Sequence, residues 1–209
     1  MAKVEIGQWI QPRGREKIGP SIKGSLEIVV DPQAAYSRYL TQEEFTKDYN
    51  RLLSIDPSSL VFLIGPMTGR RDPYTLQIDE IAQARIASVE RFFGEYGLIV
   101  EHCFGRQNLG RWGVSSEQAS VLDGTALDRA STIVGLPWAS TSVNTFREIK
   151  RTISTGKSLV LFYEEPEEND FKDRVIQLIL SAPKYYPPSA LIPIRGATDL
   201  AEPLGKLFL

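Results

Sequence analysis

Two carboxylates, Asp123 and Glu148, lie in sequence surroundings that suit chemistry on a small polar molecule. Glu148 belongs to the segment STSVNTFREIK (140–150), in which Ser, Thr and Asn residues precede it. A side-chain carboxylate can act as a nucleophile or as a general acid or base when its neighbours set its protonation. The alternative is a capping box, in which Glu148 bonds the backbone of Thr145, three residues earlier, and merely closes a helix start.

A second candidate is the segment GPMTGRRDP (65–73), which we call the glycine loop. Its two glycines let the backbone approach a ligand closely, Thr68 offers a hydroxyl, and Arg70 and Arg71 offer positive charge. These features favour binding of an anion, most simply a phosphate. The alternative is a plain turn with solvated arginines.

Composition excludes several other kinds of chemistry. The 209-residue chain has one His and one Cys, so a zinc site with the usual nitrogen and sulfur ligands is almost excluded, and an internal disulfide is impossible. The net charge of −2 argues against a broad nucleic-acid footprint, and no stretch approaches the ~20 apolar residues of a spanning helix. The N-terminus lacks the apolar core of a signal peptide. We therefore expect a cytoplasmic protein without a metal or cofactor.

Apolar runs alternate with helical segments from residue 60 onward. The runs LVFLIG, LIVEHC, STIVGLPW, SLVLFY and ALIPI predict five strands, and helices are predicted at 78–96, 116–130, 144–155, 170–182 and 198–208. Strands joined by helices of this length form right-handed crossovers in a parallel sheet. The sequence thus predicts an α/β fold with a doubly wound, flavodoxin- or Rossmann-like, five-stranded parallel sheet.

The first 57 residues have a different organisation. The runs KVEIGQWI and SLEIVV predict two strands around a long turn, and Thr41 with Glu44 predicts a capping box that opens a short helix. We expect residues 1–57 to form an N-terminal extension packed on a core domain of residues 58–209.

The predicted sheet gives the candidate residues a common location. Ligands of such sheets bind beyond the carboxyl ends of the strands, a side that we call the carboxyl edge. The loops there are 65–72, 102–113, 136–144 and 164–169. Asp123 precedes the third core strand and Glu148 follows it, so we expect both to converge on one cleft beside the glycine loop.

Simpler interpretations of these residues also exist. Asp123 can be a solvated carboxylate facing Arg129, and His102 a half-buried, hydrogen-bonded histidine. The acidic segment EEPEEND (164–170) is most simply a solvated loop before a helix. If the carboxylates do converge, however, two acids, a phosphate cradle and no metal ligands suit cleavage of a glycosidic bond, with one carboxylate at the anomeric carbon.

These residues resemble the nucleoside 2-deoxyribosyltransferase superfamily, in particular its 2′-deoxynucleoside 5′-monophosphate N-glycosidase branch. GPMTGRR resembles the family's G-S/P-x-x-G loop, EYGLIVEHCFG its second strand, and LDGTALDRASTIVG its Asp followed eight residues later by the third strand. SVNTFRE resembles S-x-G-x-x-x-E, whose Glu is the nucleophile. The match covers residues 60–163.

The resemblance implies a role for each site residue. Glu148 would attack C1′ of the sugar, and Asp123 would bind the sugar hydroxyls and help to position or protonate the leaving base. Ser142 and the glycine loop would hold a 5′-phosphate or 5′-hydroxyl. The expected substrate-binding residues are Gly65, Pro66, Met67, Thr68, Gly69, Arg70, His102, Ser142 and Asn144. The family often forms homodimers or larger homo-oligomers, and we expect the same here.

The chain departs from the family pattern at three positions around Glu148. Asn144 stands where the family has a glycine, Arg147 precedes the nucleophile, and Lys150 stands where a small residue is common. The first two departures favour a second hypothesis, a non-catalytic nucleotide-binding or sensor module of the same fold. A third is an NAD-cleaving glycohydrolase, which needs the same glutamate chemistry. Every hypothesis expects a small-molecule nucleoside or nucleotide as partner, and neither a membrane nor extended nucleic acid.

Overall fold

The computed structural model describes residues 9–10, 41–65, 80–102, 116–182 and 187–208. The strands in these ranges are β1 (Trp9–Ile10), β2 (Leu60–Ile64), β3 (Ile99–His102), β4 (Thr132–Gly135), β5 (Ser158–Glu164) and β6 (Ser189–Ile194). The α-helices are α1 (Gln42–Ser54), α2 (Glu80–Glu95), α3 (Ser116–Arg129), α4 (Val143–Ser154), α5 (Asn169–Leu180) and α6 (Ala201–Phe208). Short 3₁₀ turns lie at Pro57–Ser59 and Ala139–Thr141.

The sheet has the predicted doubly wound topology. Its strand order is β1-β6-β5-β4-β2-β3, and strands β2 to β6 are parallel. From β2 the chain first moves outward to β3 and then returns to β4 on the other side of β2. The switch point therefore lies between β2 and β4, where ligands of such sheets bind. The predicted α/β fold with five parallel strands is confirmed.

Helices cover both faces of this sheet. Every residue of β2 is buried, as its unbroken apolar run predicts for a strand enclosed on both sides. On one face Phe62 packs in a core with the side chains of α1, α3, α4 and α5, including Leu52, Leu122, Ile149 and Val175. On the other face Val61 and Leu63 pack with α2 and α6, including Val89 and Leu204. Asp123 and Glu148 thus belong to helices on the same face.

Before residue 57, the described residues include helix α1, which packs on this core, and strand β1. The capping box of α1 is present, since the Thr41 hydroxyl accepts from the Glu44 N–H at 3.2 Å and the Glu44 carboxylate accepts from the Thr41 N–H at 2.9 Å. Strand β1 pairs antiparallel with β6, Trp9 opposite Ala190. The second predicted strand, SLEIVV, lies outside the described residues. The division at residue 57 stays a prediction.

The third core strand is shorter than predicted. The run STIVGLPW (131–138) predicts a strand up to Trp138, whereas β4 ends at Gly135. Leu136 still donates its N–H to the Ile64 carbonyl at 2.8 Å, but Trp138 takes a left-handed conformation with φ 68°. The residues after Gly135 therefore form the turn that leads into α4.

Candidate active site

The connection between β4 and α4 is held by local hydrogen bonds at the carboxyl edge. After Trp138 the chain makes a 3₁₀ turn, and Ser142 becomes the N-cap of α4. The Ser142 hydroxyl accepts from the Thr145 N–H at 3.2 Å, the bond expected of a serine at a helix start. This cap fixes where α4 begins and hence which side of the helix presents Glu148.

The capping-box interpretation of Glu148 is wrong. It requires Thr145 to be the N-cap, but α4 begins two residues earlier, at Val143, and Thr145 lies inside the helix with its N–H bonded to Ser142. Glu148 is then the sixth helical residue, beyond the reach of the cap. In the part of the chain that the structure describes, the Glu148 carboxylate has no hydrogen bond or ion pair.

The surroundings of Glu148 strongly disfavour its charged form. Burial raises the pKa of Glu148 to about 8, and the negative charge of Asp123 acts in the same direction as a smaller cause. The Glu148 residue is half-buried. An influence of this kind requires the two carboxylates to be near each other, because charge interactions weaken with distance and with solvent screening. Asp123 and Glu148 therefore share one environment.

Polar contacts connect the α3 and α4 segments about one helical turn C-terminal to the two carboxylates. Arg151 Nη2 lies 2.6 Å from Asp128 Oδ2, and Lys157 Nζ donates to the carbonyls of Asp128 and Ala130 at 2.7 Å. Asp123 lies five residues before Asp128, which is ~7.5 Å along the helix, and Glu148 lies three residues before Arg151, which is ~4.5 Å. Both carboxylates thus lie near the middle of their helices, on the N-terminal side of these contacts and so nearer the carboxyl edge than the contacts are.

His102 lies on the other side of the sheet. Its Nε2 is 2.9 Å from Glu90 Oε1 on α2, and its side chain is largely buried. The description as a half-buried, hydrogen-bonded histidine is confirmed, and the structure does not bring the ring to the Asp123–Glu148 pair. Its role as a substrate-binding residue stays a prediction.

The other predicted site residues lie at the carboxyl edge or outside the described ranges. Gly65 directly follows β2 and is buried. Asn144 is exposed in the first turn of α4, and its Oδ1 lies 3.5 Å from Nη1 of Arg147, which is also exposed. The remaining glycine-loop residues, Pro66 to Arg70, lie outside the described residues, and so does Arg71.

Asp123 and Arg129, paired in one sequence interpretation, belong to the same helix but have different surroundings. Arg129 Nη2 donates to the Ile55 carbonyl at 2.6 Å, which ties the C-terminal end of α3 to the end of α1. Arg129 is the last residue of α3 and contacts the end of α1, whereas Asp123 lies near the middle of α3 and its charge acts on Glu148.

Two buried carboxylates at the carboxyl edge were not predicted from the sequence. The segment 164–170 has the composition of a solvated loop, but Glu164 is 6% exposed and Glu168 is 1% exposed. Glu164 pairs with Arg85 of α2, and Glu168 accepts backbone N–H groups. Glu164 directly continues the apolar run SLVLFY, and this position at the end of a buried strand is the signal that identifies it.

Two further kinds of feature are absent from the described ranges. There, no group of three or more His, Cys, Asp or Glu side chains is arranged to hold a metal ion. The same ranges contain no helix with the length and apolar character needed to cross a bilayer.

Comparison with known proteins finds similar folds among solved structures. No protein-family model matches the chain, and no curated protein matches it. Among solved structures, the chain is similar to the CMP N-glycosidase BcmB of Clostridium botulinum, with 20% sequence identity over 71% of this chain and 98% of that one and a TM-score of 0.45. The function proposed below rests on the residues of the site and not on this likeness.

Proposed function

We propose that this protein cleaves the N-glycosidic bond of a nucleoside 5′-monophosphate, with Glu148 as the nucleophile and Asp123 as its partner. The observation that supports the proposal is that Glu148 is partly buried within reach of the Asp123 charge: burial, and to a smaller degree Asp123, raises the pKa of Glu148 to about 8. Perturbed carboxylate pairs at the ligand-binding edge of a doubly wound sheet are typical of catalytic sites. Transfer of the sugar to a second base would use the same intermediate.

The proposed reaction proceeds through a sugar–enzyme ester. An oxygen of the ionised Glu148 carboxylate forms a bond to C1′ while the bond from C1′ to the base nitrogen breaks, and the departing base takes up a proton. Water then attacks C1′ while the bond from C1′ to the Glu148 oxygen breaks, and the water gives one proton to the ionised Asp123. The sugar phosphate is released, and both carboxyl groups return to their starting forms. Because the pKa of Glu148 is raised to about 8, the reactive form at neutral pH requires the proton to move from Glu148 to Asp123. Asp123 would then give this proton to the departing base.

The 5′-phosphate would be held at the start of α4 and by the glycine loop. Ser142 accepts a hydrogen bond from the Thr145 N–H, which leaves its own hydroxyl hydrogen able to donate to a phosphate oxygen. Gly65, Met67, Thr68 and Gly69 are proposed to supply backbone N–H groups and Arg70 positive charge, while Pro66, which has no N–H, would shape the loop. Because these groups would bind a phosphate, we propose a nucleotide rather than a nucleoside as the substrate.

Release of free base tests this proposal. The wild type is incubated with a panel of ribo- and deoxyribonucleoside 5′-monophosphates, the matching nucleosides and NAD, and free base is followed by chromatography. We expect base from at least one monophosphate and a fall of ~10³-fold or more in Glu148→Gln, which loses the nucleophile. Glu95→Gln, a change at an exposed glutamate at the far end of α2, should leave the rate unchanged. No base from the wild type, or equal rates in Glu148→Gln, contradicts the proposal.

A nucleotide sensor is the second candidate, and one observation favours it. Asn144 and Arg147 are both exposed on the first turns of α4, and their side chains lie within hydrogen-bond range of each other. Asn144 occupies the position at which the family that the chain resembles has a glycine. Side chains at this place can narrow the approach to Glu148 and can also read a bound phosphate. Calorimetric binding of a nucleotide that is recovered intact, together with no base release, would select this candidate.

A further inference from the structure

The buried carboxylates Glu164 and Glu168 have no part in the proposed chemistry. Both lie at the carboxyl edge and are less than one-tenth exposed. A carboxylate is costly to bury unless several donors surround it, so the groups that it contacts indicate what it does. Glu168 contacts the turn that precedes α4, the helix that carries Glu148.

One oxygen of Glu168 joins two connections of the sheet. Oε2 accepts from the Trp138 N–H at 2.8 Å and from the Glu164 N–H at 2.9 Å. The first donor belongs to the turn between β4 and α4, and the second to the last residue of β5. The backbone N–H of Glu168 also donates to the Glu164 carbonyl at 2.8 Å, which fixes the carboxylate relative to β5.

Glu164 in turn is anchored to the rest of the protein. Its carboxylate pairs with Arg85 of α2 and accepts from the Gly196 N–H at 3.0 Å, while Arg85 Nε donates to the Ala197 carbonyl at 2.8 Å. The bond from Glu168 to β5 therefore ends on a buried residue that is itself bonded to two other parts of the molecule. A contact with such an anchor can hold a less regular segment in place.

Trp138 is the residue at which the turn before α4 changes direction. It has φ 68° and ψ 19°, a left-handed conformation that is uncommon for a residue with a side chain and persists only where the surroundings enforce it. The Trp138 carbonyl accepts from the N–H and the hydroxyl of Thr141 at 3.0 and 2.7 Å. Ser142, the N-cap of α4, follows at once.

We propose that Glu168 is a positioning residue for the site. By holding the Trp138 N–H against β5, it fixes the turn from Leu136 to Ser142, and thereby the start of α4 and the placement of Ser142 and Glu148. Its effect on catalysis rests on the function proposed above, whereas its effect on the backbone does not. Glu168 itself contacts neither the reacting carbon nor the base in this account.

The test compares three variants of the full chain. Glu168→Ala removes both acceptor contacts, Glu168→Gln keeps an amide oxygen that can accept both N–H groups, and Glu167→Ala changes an exposed neighbour as the control. The readouts are amide hydrogen exchange of Trp138 and Thr145 by NMR, and kcat and KM for base release. Far-UV circular dichroism checks that each variant is folded.

We expect Glu168→Ala to exchange both amides about tenfold faster or more, because the turn and the cap of α4 open more often. Its kcat should fall about 10- to 100-fold, more than its KM changes, since a small displacement of Glu148 disturbs the attack geometry. Glu168→Gln should restore most of both losses. If Glu168→Ala does not fold, Glu168→Asp, whose shorter side chain cannot reach both donors, replaces it with the same expectations.

The inference is overturned if Trp138 alone exchanges faster while Thr145 and kcat keep their wild-type values, because Glu168 would then stabilise only its own turn. It is equally overturned if Glu168→Gln behaves like Glu168→Ala in every readout, since the acceptor would not matter. A wild type that releases no base contradicts the proposed function instead, and the exchange of the Thr145 amide still decides this inference.

Discussion

At the scale of the residue, the site depends on one glutamate in an unfavourable place. A glutamate in a capping box would accept a hydrogen bond from the backbone N–H of Thr145. That N–H donates to the Ser142 hydroxyl instead. Glu148 is left half-buried beside a second carboxylate. Burial without a compensating donor lowers stability, and natural proteins retain such residues mainly at functional positions.

This cost gives a prediction about stability and pH. The folded-state pKa of Glu148 is about 8, above the ordinary 4.5, so the stability associated with its protonated form is complete below about pH 4.5 and is lost as the pH rises through 8. Glu148→Gln does not titrate. We expect its free energy of unfolding relative to the wild type to rise by roughly 2–4 kcal/mol between pH 4.5 and 8.

Urea unfolding at several pH values measures this difference. Glu95→Gln, which removes one exposed carboxylate, controls for the change in net charge. A difference between Glu148→Gln and the wild type that stays flat with pH would show that Glu148 has an ordinary environment.

The residue types of the site were predictable, and their contacts were only partly so. Asp123 and Glu148 could be predicted to meet because one precedes and the other follows the same strand. The residue at which α4 begins could not be predicted, because Ser142 and Thr145 are both good helix caps. The choice between them depends on the turn at Trp138. Glu168 was missed because its donors lie 4 and 30 residues away in the sequence.

At the scale of the element, the short strand β4 has the tightest packing beside the site. An added Cβ at Gly135 would lie 2.4 Å from Leu161 Cδ1, on the neighbouring strand β5. Leu161 is fully buried, so its side chain has little room to move away. Glycine here therefore allows the close approach of the Leu161 side chain to β4, directly before the turn that leads to α4.

Gly135→Ala is accordingly expected to destabilise the protein by roughly 1–3 kcal/mol, because the methyl group displaces Leu161 from its rotamer. Gly94→Ala is the matched control. Gly94 lies in α2, where an added Cβ meets no described atom within 4 Å, and alanine should stabilise the helix by ~0.5–1 kcal/mol. Thermal melts of both variants test this, and equal shifts of both Tm values would show that the close approach has no cost.

Strand and helix positions were largely predictable, since buried parallel strands give unbroken apolar runs and the surface helices have a 3.6-residue period. The end of β4 was predicted too late because apolar residues continue from the strand into the turn. Leu136 is buried and Trp138 is partly buried, although neither belongs to β4. Burial sets the apolar pattern, and strand geometry ends where the backbone turns.

At the scale of the whole molecule, the buried pair of Arg85 and Glu164 ties one helix layer to the sheet. Arg85 is 3% exposed and donates to both Glu164 and the Ala197 carbonyl, so it connects α2 with the ends of β5 and β6. Removing one partner of such a pair leaves an uncompensated buried charge, which costs far more than replacing both.

We expect Arg85→Met to lower the free energy of unfolding by roughly 3–5 kcal/mol. The double variant Arg85→Met/Glu164→Gln should recover part of this loss, because the amide carries no charge and can still accept from the Gly196 N–H. Chemical unfolding of the single and double variants gives the comparison. A double variant that is less stable than Arg85→Met would contradict this account of the pair.

An NMR titration of the Glu148 side-chain carboxyl carbon shows whether Asp123 and Glu148 lie close enough to influence each other. The signal is assigned by its absence in Glu148→Gln and followed from about pH 3 to pH 10 in the wild type and in Asp123→Asn. We expect a midpoint near 8 in the wild type and a lower one in Asp123→Asn, still above the ordinary 4.5 because burial is the larger cause. A wild-type midpoint near the ordinary value, or one that Asp123→Asn leaves unchanged, would show that the two carboxylates do not share a site.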